Sequence, residues 1–344
     1  MKKAIIAMSG GVDSSVAAYL LKKRGYEVLG VTLRLWQGGA VDDARQICEM
    51  LEIPHYVADI REIFQKKVID GFAAEYLAGR TPNPCIVCNR FVKWENLLAI
   101  AREHKADFIA TGHYAQIVSH PDTRRLSIVA SNSPKDQSYA LYTLSQEALA
   151  QTIFPIGDMP KEQVREIARK NLGLAMADKP DSQEICFVPD KNHAKFLANY
   201  LGRPLPKGNF VDSAGKILGE HKGLGNYTIG QRKGLGAFGA PVYVAEIDGA
   251  TANITLTPDE SELFGSQMIV ESLNFMAYED VDGEVEMLGK IRYAHKPAPC
   301  TIRRAGSKII CNFKQPQRAI TPGQSAVFYD NQGHVICGGI ICKS

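Results

Sequence analysis

Ser9-Gly10-Gly11-Val12-Asp13-Ser14-Ser15 stands between an apolar run, Ala4–Met8, and Val16–Arg24, where Val16, Ala17, Leu20 and Leu21 share one helical face. The placement reads as strand, glycine turn, helix. Two glycines let a backbone turn tightly and come close to a ligand. The helix that follows offers free N–H groups and the positive end of its dipole to an anion. Ser14 and Ser15 add hydroxyl donors. No lysine sits in the loop, so it is neither G-x-x-x-x-G-K-[ST] nor G-x-G-x-x-G. A plain βα turn with a Ser or Asp N-cap competes with this reading. The density of glycine and hydroxyl between a strand and a helix favours the anion site.

Outward from the loop, β-type and helical runs alternate. Val28–Leu33, His55–Ala58 and Phe108–Thr111 read as strands; Asp42–Leu51 and Trp94–His104 read as helices. Such alternation predicts βαβ units and a parallel sheet, which binds ligands beyond the carboxyl ends of its strands. Near residue 200 the pattern changes. Arg203-Pro204-Leu205-Pro206-Lys207-Gly208 is a breaker cluster, and glycine is dense from Gly219 to Gly239. From about 266, six short β-type runs follow: Met268–Val270, Val285–Ile291, Cys300–Arg304, Ile309–Phe313, Ser325–Tyr329 and Val335–Ile341. They predict a small antiparallel barrel or sandwich. The expected organisation is an α/β domain over 1–200, a small mixed domain over 201–265 and a C-terminal antiparallel β-barrel over 266–344.

A chain of 344 residues is too long for one compact core of ordinary size. Its 45% hydrophobic and 22% charged residues are those of an ordinary globular protein. No apolar run approaches the ~20 residues that span a bilayer. The N-terminal apolar stretch is five residues long and runs straight into the glycine turn, without a cleavage site, so a buried first strand and a cytoplasmic protein are expected. Eight cysteines in such a chain suggest thiols, ligands or nucleophiles before a disulfide framework. Net charge is only +3, but it is unevenly spread. Residues 266–286 carry six acids and no Lys or Arg, whereas 287–329 carry eight Lys/Arg and no acid. Residues 203–234 hold six Lys/Arg against two acids. Such stretches suit a phosphate backbone or, equally, a solvated basic face.

Four further segments bear on identity: Thr81-Pro82-Asn83-Pro84-Cys85-Ile86-Val87-Cys88-Asn89, Ala110-Thr111-Gly112-His113-Tyr114-Ala115, Lys135-Asp136-Gln137-Ser138-Tyr139 and Tyr227-Thr228-Ile229-Gly230-Gln231-Arg232-Lys233-Gly234-Leu235-Gly236. With the S-G-G-x-D-S loop, the PP-loop of ATP pyrophosphatases, they resemble the bacterial tRNA-specific 2-thiouridylase family almost end to end. The resemblance implies a PP-loop catalytic domain over 1–200, a central tRNA-binding domain over 201–265 and a barrel after it. It implies ATP, with Mg2+, held by Ala7, Met8, Ser9, Gly10, Gly11, Val12, Asp13 and Ser14 and flanked by Leu33 and Gly112. Asp13 would help hold the magnesium, since hard oxygen ligands suit that ion. It implies tRNA contacts from Asn83, Pro84, His113, Lys135, Asp136, Gln137, Arg292, Tyr293 and Gln324. Lys135 and Arg292 suit phosphate, and Tyr293 suits stacking on an unstacked anticodon-loop base. The implied partners are tRNAs with Lys, Glu and Gln acceptors and a sulfur-carrier or cysteine desulfurase protein, with no membrane.

The resemblance also singles out Cys88, expected on an exposed loop after a Pro-rich turn, and Cys186. Cys88 would receive sulfur as a persulfide and Cys186 would resolve it, a sequence that needs an accessible thiolate and a second thiol within reach. Cys48, Cys300, Cys311, Cys337 and Cys342 lie in apolar runs and read as small buried side chains. One departure matters: well-known members of the family have Asp where this chain has Cys85. Cys85, Cys88 and Cys186 together are three soft ligands, which suit a 4Fe–4S cluster with one open iron; zinc fits less well for want of a fourth ligand. Two sulfur mechanisms therefore stay open at this stage. Two other functions compete: a PP-loop ligase of amidotransferase or argininosuccinate type, and a non-catalytic RNA-binding module.

Overall fold

The computed structural model describes residues 1–36, 41–131, 134–173, 185–188 and 190–342. The chain opens with β1 (Lys3–Ala7), α1 (Val12–Lys23), β2 (Glu27–Arg34), α2 (Val41–Met50) and β3 (His55–Asp59). A long helical stretch follows as α3 (Arg61–Phe64) and α4 (Asp70–Leu77), joined by a π turn at Gln65–Ile69. Next come α5 (Pro84–Cys88), a second π turn at Asn89–Trp94 and α6 (Glu95–Glu103). After β4 (Phe108–Ala110), the β5 (Gln116–Ser119) and β6 (Leu126–Val129) hairpin leads to α7 (Gln146–Ala150), β7 (Thr152–Ile153), α8 (Lys161–Leu172) and α9 (His193–Leu201).

The main sheet has the order β3-β2-β1-β4-β7, with every pairing parallel. Its inner strands β1, β2 and β4 are largely buried, as a covered parallel sheet requires, while the edge strand β3 is mostly part-exposed. On one face α1, α2 and α8 contribute Val16, Leu21, Ile47, Val164 and Leu172 to a shared core. The other face packs on Phe64, Phe72, Trp94, Leu97, Tyr139 and Tyr142, and this core continues into Val327, Tyr329 and Val335 near the C-terminus. Strand order reverses beside β1, because β2 and β3 lie on one side and β4 on the other. A crevice at such a reversal is where open α/β sheets bind ligands.

From Asn209 the described elements are strands and short turns. β8 (Asn209–Val211), β9 (Ile217–Glu220), β10 (Tyr243–Asp248) and β11 (Asn253–Thr257) form a mixed sheet ordered β10-β11-β8-β9. Its edge strand β9 exposes Ile217 and Leu218. The last six strands, β12 (Phe264–Phe275), β13 (Glu284–Lys290), β14 (Ala298–Ala305), β15 (Lys308–Arg318), β16 (Ser325–Tyr329) and β17 (Val335–Ile341), close into an antiparallel barrel ordered β12-β15-β14-β13-β16-β17. The six predicted runs all lie within these strands except at Ile291. β16 is buried along its whole length because its outer side meets the first domain: Tyr139 Oη donates to the Ser325 carbonyl at 2.8 Å.

Two local expectations are corrected. Helix α1 begins at Val12, inside the glycine loop, rather than at Val16. Thr81–Asn89 does not hold Cys88 on an exposed loop. Asn83 caps a short helix by accepting from the Cys85 N–H at 3.2 Å, and Pro84 occupies its first turn. Cys88 ends that helix, buried.

Candidate functional site

Gly10 has φ 72°, in the left-handed region where glycine carries no Cβ penalty. Gly11 is the N-cap of α1, and no side chain caps the helix there. The Ser14 and Ser15 hydroxyls, expected as ligand donors, instead donate to the Gly11 carbonyl at 2.9 and 2.8 Å and brace the turn. The groups left to meet an anion are the backbone N–H groups of the first turn and the exposed Ser9. Met8 is a core residue and Ala7 is part-buried on β1, so Met8 offers the loop only its backbone.

Asp13 is already engaged. Lys161 Nζ donates to both of its carboxylate oxygens, at 2.6 and 2.8 Å, and Tyr114 Oη donates at 2.7 Å. Lys161 is only 7% exposed. Asp13 thus fits a loop anchor; in this arrangement it does not fit the magnesium ligand expected of it. Gly112 packs against the loop itself: a Cβ there would stand 2.8 Å from the Asp13 carbonyl carbon and 2.9 Å from the Ser14 nitrogen. Leu33, near the end of β2, is part-buried against the core.

Next to Gly112, the His113 ring lies between Trp94 and Phe154, with centroids 5.5 and 6.1 Å away. Its Nδ1 is 2.8 Å from Thr111 Oγ1. Burial, with a smaller contribution from the Lys93 charge, pushes its pKa down to about 3, so the imidazole is neutral. The structure brings Cys85, Cys88 and Cys186 within electrostatic reach of one another and of Lys93. Burial raises the Cys88 thiol to about 11, and Cys85 and Cys186 add to the rise while Lys93 opposes it. Desolvation by the protein around it also raises the Cys186 thiol, although the residue itself is exposed at the surface. Cys85 is exposed too. Among the described residues no three His, Cys, Asp or Glu side chains converge on one metal-ion position.

The candidate tRNA residues fall along the seam between sheet domain and barrel. Gln137 ties its segment to the site: its N–H donates to the Tyr114 carbonyl at 3.0 Å, and its Oε1 accepts from the Tyr114 N–H at 2.9 Å. Asp136 accepts from the Ser138 hydroxyl at 2.7 Å. Its carbonyl accepts from Tyr293 Oη at 3.1 Å, which joins Lys135–Gln137 to the barrel. Tyr293 is 46% exposed, and Lys290 Nζ lies 5.5 Å from its ring centre. Arg292 donates to the Arg318 carbonyl at 3.1 Å. Gln324 Nε2 donates to the Thr81 carbonyl at 2.8 Å, beside the α5 turn. In that turn Pro84 is buried and Asn83 part-buried. Gly230, in the Tyr227–Gly236 loop, accepts from Arg318 at 3.1 Å, so this loop also meets the barrel. A cavity of about 550 Å³, lined by Asn83, Pro84, Ile247, Glu271 and Cys342 among others, sits where the three parts meet; neither the glycine loop nor Cys88 lines it.

Sequence reasoning missed Lys93, Lys161 and Lys290. Lysines at 93 and 161 carry no local signal; only the tertiary fold sets them against Cys88 and Asp13.

A parallel α/β sheet with a glycine–serine loop at its reversal point, followed by a small mixed sheet and a closed barrel, defines a multidomain protein of the nucleotide-binding α/β class. Three family models match in order: tRNA methyl transferase HUP domain over 2–190, tRNA methyl transferase PRC-barrel domain over 194–258 and Aminomethyltransferase beta-barrel domain over 265–341. Proteins named tRNA-specific 2-thiouridylase MnmA align along nearly the whole chain. That of Lachnoclostridium phytofermentans is 50% identical, covering 98% of this chain and 99% of the relative. That of Clostridioides difficile is 48% identical over 100% and 99%, and that of Carboxydothermus hydrogenoformans 47% over 98% and 96%. The chain belongs to the tRNA-specific 2-thiouridylase family.

Proposed function

We propose that this protein is an ATP-dependent tRNA 2-thiouridylase that converts the wobble uridine, position 34, to 2-thiouridine. The observation that carries the reading is the gathering of Cys85, Cys88 and Cys186 around Lys93, next to the neutral His113 and one glycine away from the phosphate loop. The family models speak of methyl transfer, but thiols beside an ATP loop suit adenylation followed by sulfur transfer.

The loop from Ala7 to Ser14 binds the phosphates of ATP through backbone N–H groups, with Leu33 and Gly112 flanking the nucleoside. Magnesium bound together with ATP would screen the charge of its phosphates. The uridine C2 oxygen attacks the α-phosphorus and pyrophosphate leaves. The sulfur-receiving thiol has to be accessible to a protein donor, and of the pair Cys186 is exposed while Cys88 is buried, so the two roles first read from the resemblance are exchanged: a donor persulfide, supplied by a sulfur-carrier or cysteine desulfurase protein, passes its outer sulfur to Cys186 and departs as a thiolate. Cys88 then attacks the inner sulfur of that persulfide, which forms the Cys88–Cys186 disulfide and frees hydrosulfide. Hydrosulfide adds to C2, and AMP leaves with the former C2 oxygen. An external thiol reduces the disulfide. Cys85 is an accessory thiol. Asn83, Pro84, His113, Lys135, Asp136, Gln137, Arg292, Tyr293 and Gln324 form the tRNA surface, and exposing the wobble base costs a few kcal/mol of unstacking. The tRNAs are those with Lys, Glu and Gln acceptors, and the enzyme works among them in the cytoplasm. No helix among the described residues is long and apolar enough to cross a membrane.

The test is mass spectrometry of wobble nucleosides after reaction with ATP, tRNA and a persulfide donor. Cys88→Ser and Cys186→Ser lose 2-thiouridine while tRNA-dependent pyrophosphate release persists; Cys85→Ser keeps substantial activity. Thiolation that survives Cys88→Ser sinks the persulfide route. Iron and acid-labile sulfide in anaerobically purified protein, with thiolation dependent on them, replaces it with the cluster route.

A further inference from the structure

We propose that Phe187 is the positioning residue for Cys186: its ring, locked among three other phenylalanines, pins the turn that carries the exposed thiol to the core of the sheet domain. The inference rests on the reading above that Cys186 takes up the transferred sulfur.

The backbone supplies the first argument. The Val188 N–H donates to the Ile185 carbonyl at 2.9 Å, so Ile185–Val188 closes a β-turn with Cys186 and Phe187 at its central positions. The side chains of this turn diverge. Cys186 is exposed, whereas Phe187 is 2% and Val188 1% exposed. A reactive group on a surface turn depends on a rigid scaffold for its placement. Here the scaffold is reached through the very next residue.

The second argument is the seat of the ring. Phe187 meets Phe72 of α4 with centroids 5.3 Å apart and planes at 89°, and Phe64 of α3 at 5.7 Å and 76°. Both are edge-to-face contacts, a favoured arrangement of aromatic rings. Phe196 of α9 closes the seat at 5.1 Å. Phe64 and Phe72 are buried and Phe196 part-buried. The turn is also tied forward to that last ring. The Val188 carbonyl accepts from the Lys191 N–H at 3.2 Å, and Asn192 caps α9 by accepting from the Lys195 N–H at 2.9 Å. Phe187 and Cys88 belong to one continuous core. Cys88 ends α5 inside that core, and Cys186 stands one residue outside it.

The third argument is what the chemistry asks of Cys186. It must stay open to a protein donor, and its sulfur must then form a disulfide, a bond of narrow geometry. Small misplacements of a reacting group are costly in rate. Burying the neighbouring ring meets both demands, because the thiol is fixed without being covered. Phe187 itself makes no bond to sulfur.

The experiment compares full-length Phe187→Ala, Phe187→Leu and Phe196→Ala with the parent protein. Four quantities are read. The first is formation of the Cys88–Cys186 disulfide with oxidised glutathione, which takes up the two electrons and leaves as two thiols. The others are site-resolved iodoacetamide alkylation of both cysteines by peptide mass spectrometry, single-turnover thiolation, and tRNA-dependent pyrophosphate release. Phe187→Ala slows disulfide formation and thiolation by about ten-fold or more. Its Cys186 alkylation holds or rises, because a thiol cut loose stays accessible. Cys88 alkylation and pyrophosphate release stay within about two-fold, because the ring acts on Cys186 and not on adenylation. Phe187→Leu, which keeps an apolar plug, retains most of both rates. Phe196→Ala opens only the part-buried wall of the seat and slows the same two steps by less, so it reads the anchor even where the core truncation fails to fold. Unchanged disulfide formation and thiolation in the alanine variants overturn the proposal. So does a parallel loss of pyrophosphate release, or a rise in Cys88 alkylation that matches Cys186, either of which marks a merely structural role. If Cys186→Ser still thiolates tRNA, the underlying reading fails, while disulfide formation in the Phe187 variants still reports what the ring does to Cys186.

Discussion

At the level of single residues, the phosphate loop is held by a contact that its own sequence does not contain. Asp13 lies in the loop and Lys161 starts a helix almost 150 positions later, yet both carboxylate oxygens accept from that one ammonium. Removing the cation leaves a part-buried carboxylate bonded only to Tyr114. Lys161→Met is expected to cost about 1.5–3 kcal/mol of stability, the range for a hydrogen bond to a charged group, and to raise the KM for ATP more than it lowers kcat. Thermal unfolding and ATP-dependent pyrophosphate release check both parts; an unchanged melting temperature with an unchanged KM contradicts the anchor role. The loop itself was legible in the sequence because glycine between a strand and a helix has a local physical meaning. Its anchor was not, because a lysine at the start of an amphipathic helix looks the same whether or not an aspartate meets it. The Ser14 and Ser15 hydroxyls were legible as polar groups but not in direction, since each found an acceptor three or four residues back in its own turn.

At the level of elements, strands were easier to read than short helices. The predicted strands of the parallel sheet and all six runs of the barrel correspond to observed strands, because apolar runs bounded by turn residues have few other solutions. The segment around Cys85 and Cys88 reads differently. Two prolines suggest a loop, but Pro84 sits in the first helical turn, where its missing N–H has no cost, and Asn83 supplies the cap. Five helical residues depend heavily on such a cap. Asn83→Ala is expected to destabilise the protein by about 1 kcal/mol and to speed proteolytic cutting near Cys85. Loss of thiolation without either change would instead assign Asn83 to the tRNA. The π turn after Cys88 leaves no signature in composition, since Asn-Arg-Phe-Val-Lys-Trp differs little from an ordinary helical run; its two ends are tied by tertiary bonds, Trp94 Nε1 donating to Thr152 Oγ1 at 2.9 Å and Asn89 Nδ2 to the Ala140 carbonyl at 2.9 Å.

At the scale of the whole molecule, the sheet domain and barrel share one core, so the candidate RNA surface is assembled by both. Tyr293 of the barrel bonds to Asp136 of the sheet domain, and Gln324 bonds to Thr81. The charge runs in the sequence point to the C-terminal half of the chain and not to this seam, which exists only once the two are packed. Tyr293→Ala is expected to raise the KM for tRNA by about ten-fold, the size of a lost base–aromatic stack, with the KM for ATP unchanged. Tyr293→Phe keeps the ring and loses only the bond to Asp136, so it should stay near the parent; equal damage in both variants assigns the effect to the domain contact and not to stacking. The barrel that presents this tyrosine is closed, whereas the small sheet between it and the first domain is open and ends in β9 with Ile217 and Leu218 uncovered. A closed barrel has no unpaired backbone to offer a neighbour, and an open edge with apolar side chains has a row of it. The same chain is therefore closed to strand pairing at one end and open to it in the middle, where β9 offers a neighbour both backbone and apolar side chains.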